Sequence, residues 1–282
     1  ASGVLANRRI LMEREGVSTY MQLEYYLPGV MVCQIDSGCE MEALKCQAVI
    51  ARTYIYRLMD GRAEIREEEL DLDYIGGESG AGSVKAAGMT IREKERLATE
   101  LGRCRQAAEE TAGQVMKYED RYVLPLFHAV SAGRTRKGDE DYPYLQPVES
   151  RWDRERKDYR QSFSWSAAEF AGLVNQISGG TPADPEKIAG QLQAVKKDDS
   201  GYMLQVKAGA SVFSGEQLQH ALGLPSSCFS LEGADSRIQA VTLGRGHGYG
   251  LSQAGADAMA AEGWGFQDIL HYYYKNISLV AE

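Results

Sequence analysis

The sequence predicts an α+β fold, with a helical centre and two flanking α/β parts that enclose a groove. Three observations carry this. Residues Glu40 to Met59 repeat apolar side chains (Leu44, Ala48, Ala51, Ile55) with a 3.6-residue period, as an amphipathic helix does. The stretches at 187–196, 201–207 and 238–243 have the character of short strands, the last alternating apolar and polar side chains. Finally, Leu243 to Gly263, LGRGHGYGLSQAGADAMAAEG, reads as a glycine loop between that strand and a helix.

Composition narrows the partners before any motif is read. At 282 residues the chain can bury one large core or two modest ones. Its 44% hydrophobic and 25% charged residues place it among ordinary globular proteins. A formal charge of −9 argues against nucleic acid, whose phosphates need clustered Lys and Arg, and suits an acidic membrane surface poorly. No apolar run is long enough to cross a bilayer. Five cysteines, an odd number, cannot all pair internally, and none forms a Cys-x-x-Cys zinc or redox arrangement. Cys39 and Cys46 are spaced to share a helical face, but buried thiols are the plainer reading.

Taken in order, residues 1–20 form an N-terminal arm that is either a strand or an ordered extension, and 21–282 form one unit with a sub-part at 158–235. Pro28 and Gly29 punctuate the apolar segment from Leu23, leaving Val30 to Ile35 as a short helix or strand. Asp36-Ser37-Gly38 turns the chain into the helix from Glu40, whose first turn is acidic, as the helix dipole favours. Gln47 and Arg52 are polar groups inside that helix, and such groups are hydrogen-bonded in a core. Residues 60–90 read as a solvated loop, Ile91 to Ala112 as a helix, and Lys117 to Val130 as a hairpin turning across Tyr118 to Tyr122. His128 then ends a strand before the small polar turn Ser131 to Thr135, where binding residues concentrate. Short strands and helices alternate from Phe163 to Leu231, and Gln267 to Tyr274 closes the chain as an amphipathic helix.

In the glycine loop, Gly244, Gly246, Gly248 and Gly250 alternate around His247, so the backbone can take positive φ and approach bulky neighbours. Ser252 is the expected cap of the following helix and Gly263 its stop. A phosphate cradle is the rival reading. It fails on spacing: the dinucleotide fingerprint needs glycine where Tyr249 or Leu251 stands, and no Gly-Lys-Ser/Thr follows.

Three blocks occur together and in order: Glu42-Ala-Leu-Lys-Cys-Gln-Ala-Val-Ile-Ala-Arg-Thr-Tyr54, His128-x-x-Ser131-x-Gly133-x-Thr135, and Gly244-Arg-Gly-His-Gly-Tyr-Gly-Leu-Ser-Gln-x-Gly-Ala256. With them the chain resembles the stage II sporulation protein D family, which includes amidase-enhancer proteins, over residues 20 to 278. The resemblance implies a peptidoglycan lytic transglycosylase that cleaves between N-acetylmuramic acid and N-acetylglucosamine on strands stripped of stem peptides. It implies a glycan-binding groove, an extracytoplasmic site of action in sporulation beside a cell-wall amidase, no cofactor, and membrane attachment only through an anchor outside the sequence, which begins at Ala1. That chemistry needs one carboxyl, which protonates the leaving oxygen and then accepts the proton of the muramic 6-hydroxyl.

Here the chain departs from the pattern. The family's catalytic glutamate falls on Gln34, in Gln34-Ile35-Asp36. Either the chain is a catalytically impaired, glycan-binding or amidase-enhancing relative, or a neighbour among Asp36, Glu40 and Glu42 supplies the acid, with Asp36 and Glu42 the catalytic candidates. Glu42 opens the helix, where capping is its alternative role. The resemblance assigns substrate contacts to Gln34, Arg52, His128, Ser131, Thr135, Arg245, His247, Ser252 and Gln253. Some relatives hold zinc in the segment aligning with Asp71 to Glu78, but Leu70 to Tyr74 carries neither Cys nor His, so no metal is expected.

Overall fold

The computed structural model describes residues 8–14, 16–76, 89–177, 179, 181–234 and 236–282. The loop expected at 60–90, with the family's zinc segment, therefore lies partly outside the described residues. Helices and several small sheets are both present, the mixed content of an α+β chain, and the chain divides into two compact units, Ala1–Leu126 with Ala256–Glu282, and Phe127–Gly255.

The first unit opens with β1 (Arg9–Arg14) and β2 (Val17–Gln22), an antiparallel pair to which β3 (Glu64–Arg66) adds in parallel against β1. Next come α1 (Leu23–Gln34) and α2 (Met41–Met59). Pro28 does not break α1 but lies inside it. The burial of Tyr26, Leu27, Val30 and Met31 around it outweighs the lost hydrogen bond that makes proline a breaker in isolation. Gly29 has its own reason: a Cβ there would stand 2.3 Å from the Tyr74 ring, which stacks on Tyr26 at 4.3 Å.

Helix α2 buries the periodic face read from sequence, with Leu44, Ala48, Ala51 and Ile55 all in one core with α1 and with Cys104, Ala107 and Ala108 of α3 (Ile91–Glu110). Thr90 caps α3 in a capping box with Glu93. The hairpin β4 (Gln114–Tyr118) and β5 (Arg121–Tyr122) turns on Glu119 and Asp120, both at positive φ. It ends at Tyr122, short of the expected Val130, and β4 pairs on its other side with β14 (Ser278–Ala281), from the far end of the sequence.

The second unit begins with β6 (Phe127–His128) and holds two antiparallel sheets. One is built from β7 (Arg160–Ser166), β11 (Phe229–Ala234) and β12 (Arg237–Leu243), with β12 central. The other is built from β8 (Leu192–Lys197), β9 (Met203–Ala208) and β10 (Ser211–Ser214). Helices α4 (Ala167–Val174) and α5 (Gly215–Leu222) start from capping boxes, Ser166 with Glu169 and Ser214 with Gln217. Their buried Phe170, Val174, Leu218 and Leu222 share a core with Ile238 and Ala240 of β12. The same strand that anchors this core leads into the glycine loop, β13 (Leu251–Ser252) and α6 (Gln253–Ala261). The first unit resumes at Ala256, within α6, and continues into α7 (Phe266–Tyr273).

Candidate functional site

The glycine loop and the His128 block are interlaced. Val130 and Arg245 exchange backbone hydrogen bonds at 2.7 and 3.0 Å, Arg136 N–H donates to the Gly248 carbonyl at 2.8 Å, and β13 lies parallel to β6. Such closeness requires glycine. A Cβ on Gly246, whose φ is +106°, would stand 2.8 Å from the His128 Cβ, and one on Gly244 would stand 2.6 Å from the Val130 carbonyl oxygen. Both contacts are shorter than real Cβ atoms make, and both conformations disfavour L side chains.

A buried carboxylate that the sequence reading left unassigned holds the two blocks together. Asp153 accepts from the Ser131 N–H at 3.0 Å and the Ser131 hydroxyl through Oδ2, and from the Ser252 hydroxyl at 2.8 Å through Oδ1. Desolvation pushes its pKa up, opposed by the serine hydroxyls that donate to it. Ser252 also accepts from Gly255 N–H at 3.2 Å, the capping role its position implied. Ser131 and Ser252 are both fully buried, and Thr135 nearly so, its hydroxyl accepting from Val148 N–H at 2.9 Å.

The two motif histidines meet in this frame, with ring centres 5.7 Å apart, edge to face. His128 Nδ1 lies 3.0 Å from the Tyr249 carbonyl oxygen, so that nitrogen carries the hydrogen. Its Nε2 is buried with no hydrogen-bond partner among the described residues. Desolvation first, then the charge of His247, lower the His128 pKa to about 3, so the ring is neutral. His247 is exposed, and its Nδ1 accepts from Tyr249 N–H at 3.1 Å. Desolvation lowers its pKa and Arg136 lowers it further, against a backbone hydrogen bond with Phe127. Arg245 is exposed on the same loop, and Gln253 is half-buried at the start of α6.

Arg136 braces the loop from beneath. Its guanidinium lies between the Tyr202 and Tyr249 rings, 4.9 and 4.4 Å from their centroids, and donates to Asp198 at 2.7 Å and to the His247 carbonyl at 3.3 Å. Its place directly after the Thr135 block was the signal available in the sequence.

The remaining candidates belong to the first unit. Gln34 ends α1, and its Oε1 accepts from the side-chain amide of the fully buried Gln47 at 2.8 Å. Asp36 is exposed, its Oδ1 accepting from Gly38 N–H at 2.9 Å in an Asx turn. Glu40 N–H donates to Asp257 at 2.7 Å. Glu42 caps a helix, but not its own: Oε2 accepts from Phe266 N–H, the first residue of α7, at 2.9 Å, while Oε1 meets Lys45 Nζ at 2.6 Å. Arg52 is fully buried, in a bidentate pair with Glu24 at 2.7 Å, and donates also to the Ala108 and Gln114 carbonyls at 3.0 and 3.1 Å. Those bonds tie α2 to α1, α3 and β4 and leave Arg52 no face for a ligand. Among the described residues no cluster of three or more His, Cys, Asp or Glu side chains is arranged to hold a metal ion, and no helix is long and apolar enough to cross a membrane.

Similarity to known proteins follows the same blocks. A family model described as "Stage II sporulation protein" matches residues 12–118, from β1 to β4. The chain is 28% identical over 264 residues to stage II sporulation protein D of Bacillus subtilis (strain 168), covering 91% of this chain and 74% of that protein. Against stage II sporulation protein D of Bacillus amyloliquefaciens the identity is 28% over 263 residues, with the same coverage of 91% and 74%. The amidase enhancer of Bacillus subtilis (strain 168) is 24% identical over 312 residues, which cover 90% of this chain and 40% of the enhancer. The resemblance to the stage II sporulation protein D family thus extends over nine-tenths of the chain.

Proposed function

We propose that this relative of stage II sporulation protein D serves cell-wall remodelling in sporulation by binding the glycan strands of peptidoglycan, outside the cytoplasm and beside a cell-wall amidase, without cleaving them. The observation that carries the reading is the Gln34–Gln47 pair. A transglycosylase must hand a proton to the glycosidic oxygen and take one from the 6-hydroxyl, and a carboxamide does neither at any physiological pH. At the family's acid position two neutral amides are bonded at 2.8 Å, and Glu42 is engaged with Phe266 and Lys45. Similarity to an amidase enhancer supports the partnership.

In this reading the glycine loop is a ligand-facing element. Arg245 and His247, exposed on it, supply a cation and an imidazole to sugar hydroxyls, acetamido groups or the muramic carboxylate. Buried His128, Ser131, Thr135 and Ser252, with Asp153 and Arg136, set the loop's shape. Retention on amidase-stripped peptidoglycan tests this: the parent chain is retained, Arg245→Ala is retained about tenfold less, the loss of one charge-assisted contact, and His247→Ala about threefold less, the loss of one hydrogen bond. A parent chain that washes through ends the reading.

One observation favours a second reading. Asp36 is an exposed carboxylate two residues beyond Gln34, and a lytic transglycosylase that uses it as the acid leaves anhydro-muramic ends that vanish in Asp36→Asn.

A further inference from the structure

A second feature of the first unit has the composition of a sugar platform. Helix α6 is stopped by Gly263 at φ +93°, with Gly263 N–H on the Ala260 carbonyl at 2.9 Å and Trp264 N–H on the Met259 carbonyl at 3.0 Å. That C-terminal glycine motif throws Trp264 outward just past the helix, where it remains 36% exposed. Tyr273 and Tyr274 of the adjoining α7 segment are fully buried, whereas Tyr20 and Tyr25 elsewhere in this unit are exposed too. Trp264 meets the Tyr272 ring edge-on at 5.9 Å, and Lys275 Nζ covers Tyr272 at 5.0 Å from its centroid. The indole is therefore braced at its edge, and the lysine tops the tyrosine.

Around it lies an open depression of about 650 Å³ bordered by Glu262, Trp264, Asp268, His271, Tyr272 and Lys275. Glu262, Asp268 and His271 are exposed at its rim. His271 Nδ1 lies 2.8 Å from the Gln267 carbonyl oxygen, so it carries a hydrogen and leaves Nε2 to meet a ligand hydroxyl. The rim thus alternates acceptors with one ammonium donor beside a flat apolar surface. Two carboxylates against one lysine give a slightly negative field, which disfavours anions.

We propose that this depression is a second saccharide site, separate from the glycine loop, which stacks the C–H face of an uncharged N-acetylglucosamine residue on Trp264. It rests on the glycan-strand reading for the identity of the sugar, and adds a foothold contributed by α6 and α7 alone. Carboxylates and the imidazole accept from ring hydroxyls, and Lys275 donates to a hydroxyl or acetamido oxygen. Aromatic stacking of this kind contributes beyond area burial, enough for a single weak subsite.

The test uses the whole chain and chitotetraose as probe. Sugar addition should change tryptophan emission in the parent, and Trp264→Ala should abolish that change and weaken binding about tenfold. Lys275→Met, which keeps the aromatic pair, should weaken binding about threefold, with circular dichroism confirming that both variants are folded. Emission unmoved by chitotetraose, or a folded Trp264→Ala chain that binds as the parent does, overturns the site. Retention on stripped peptidoglycan separates the two claims. A Trp264→Ala chain retained like the parent sinks this site and leaves the glycan-strand reading; a parent that is not retained, yet answers chitotetraose through Trp264, does the reverse.

Discussion

His128 meets His247 edge-on with ring centres 5.7 Å apart, the one ring buried and neutral, the other at the surface. The pairing exists only because Gly246 lets the loop backbone pass over the His128 Cβ. Burial without a partner for Nε2 makes His128 costly to protonate, and a dependence of stability on pH follows.

The folded chain holds His128 neutral down to about pH 3, whereas the unfolded chain takes up a proton near the ordinary histidine value of about 6.5. A depressed histidine contributes nothing unfavourable above that value. Below it the unfolded state binds the extra proton, and folding weakens by about 1.4 kcal/mol per pH unit. Urea unfolding at pH 7 and pH 5 should show the parent losing about 2 kcal/mol more than His128→Gln. Equal losses in the two chains would mean that His128 is solvated.

Gly246→Ala should destabilise the second unit by about 2 kcal/mol or more, since the new methyl meets His128 and the residue must hold a positive φ. Thermal unfolding is the readout. An unchanged midpoint would mean that the loop does not pack on His128.

Asp153→Ala removes the acceptor for the Ser131 and Ser252 hydroxyls, which are buried and have been drawn together across the sequence. A cost of about 3 kcal/mol is expected, with reduced retention on glycan as the loop loosens. Asp153→Asn, which keeps one carbonyl oxygen, should recover part of the stability. A variant as stable as the parent would show that the serines find other acceptors.

How far the sequence reveals this depends on the range of each interaction. The periodic face of α2, the Glu119–Asp120 turn and the strand, glycine loop and helix around His247 rest on local spacing, and each forms where the residues place it. Pro28 is misread by local rules because the burial of α1 decides there. Glu42 is legible as a capping residue, but its target Phe266 lies 224 positions away. Asp153 carries no motif of its own, and its role arises from Ser131 and Ser252, 22 and 99 residues distant. Arg52 stands in a family block, yet its bidentate partner Glu24 makes it a brace within the helices.

Gln34 stands where the resemblance places a catalytic glutamate. Because Gln47 donates to Gln34 Oε1, a glutamate in its place can accept the same hydrogen bond, so Gln34→Glu should fold as the parent does. The decisive measurement is digestion of amidase-stripped peptidoglycan by the parent and by Gln34→Glu, with products read by mass spectrometry. The parent should bind the strands and release no anhydro-muramic ends, and Gln34→Glu should release them. Anhydro-muramic ends from the parent, lost in Asp36→Asn, would contradict this and make the chain a transglycosylase with a relocated acid.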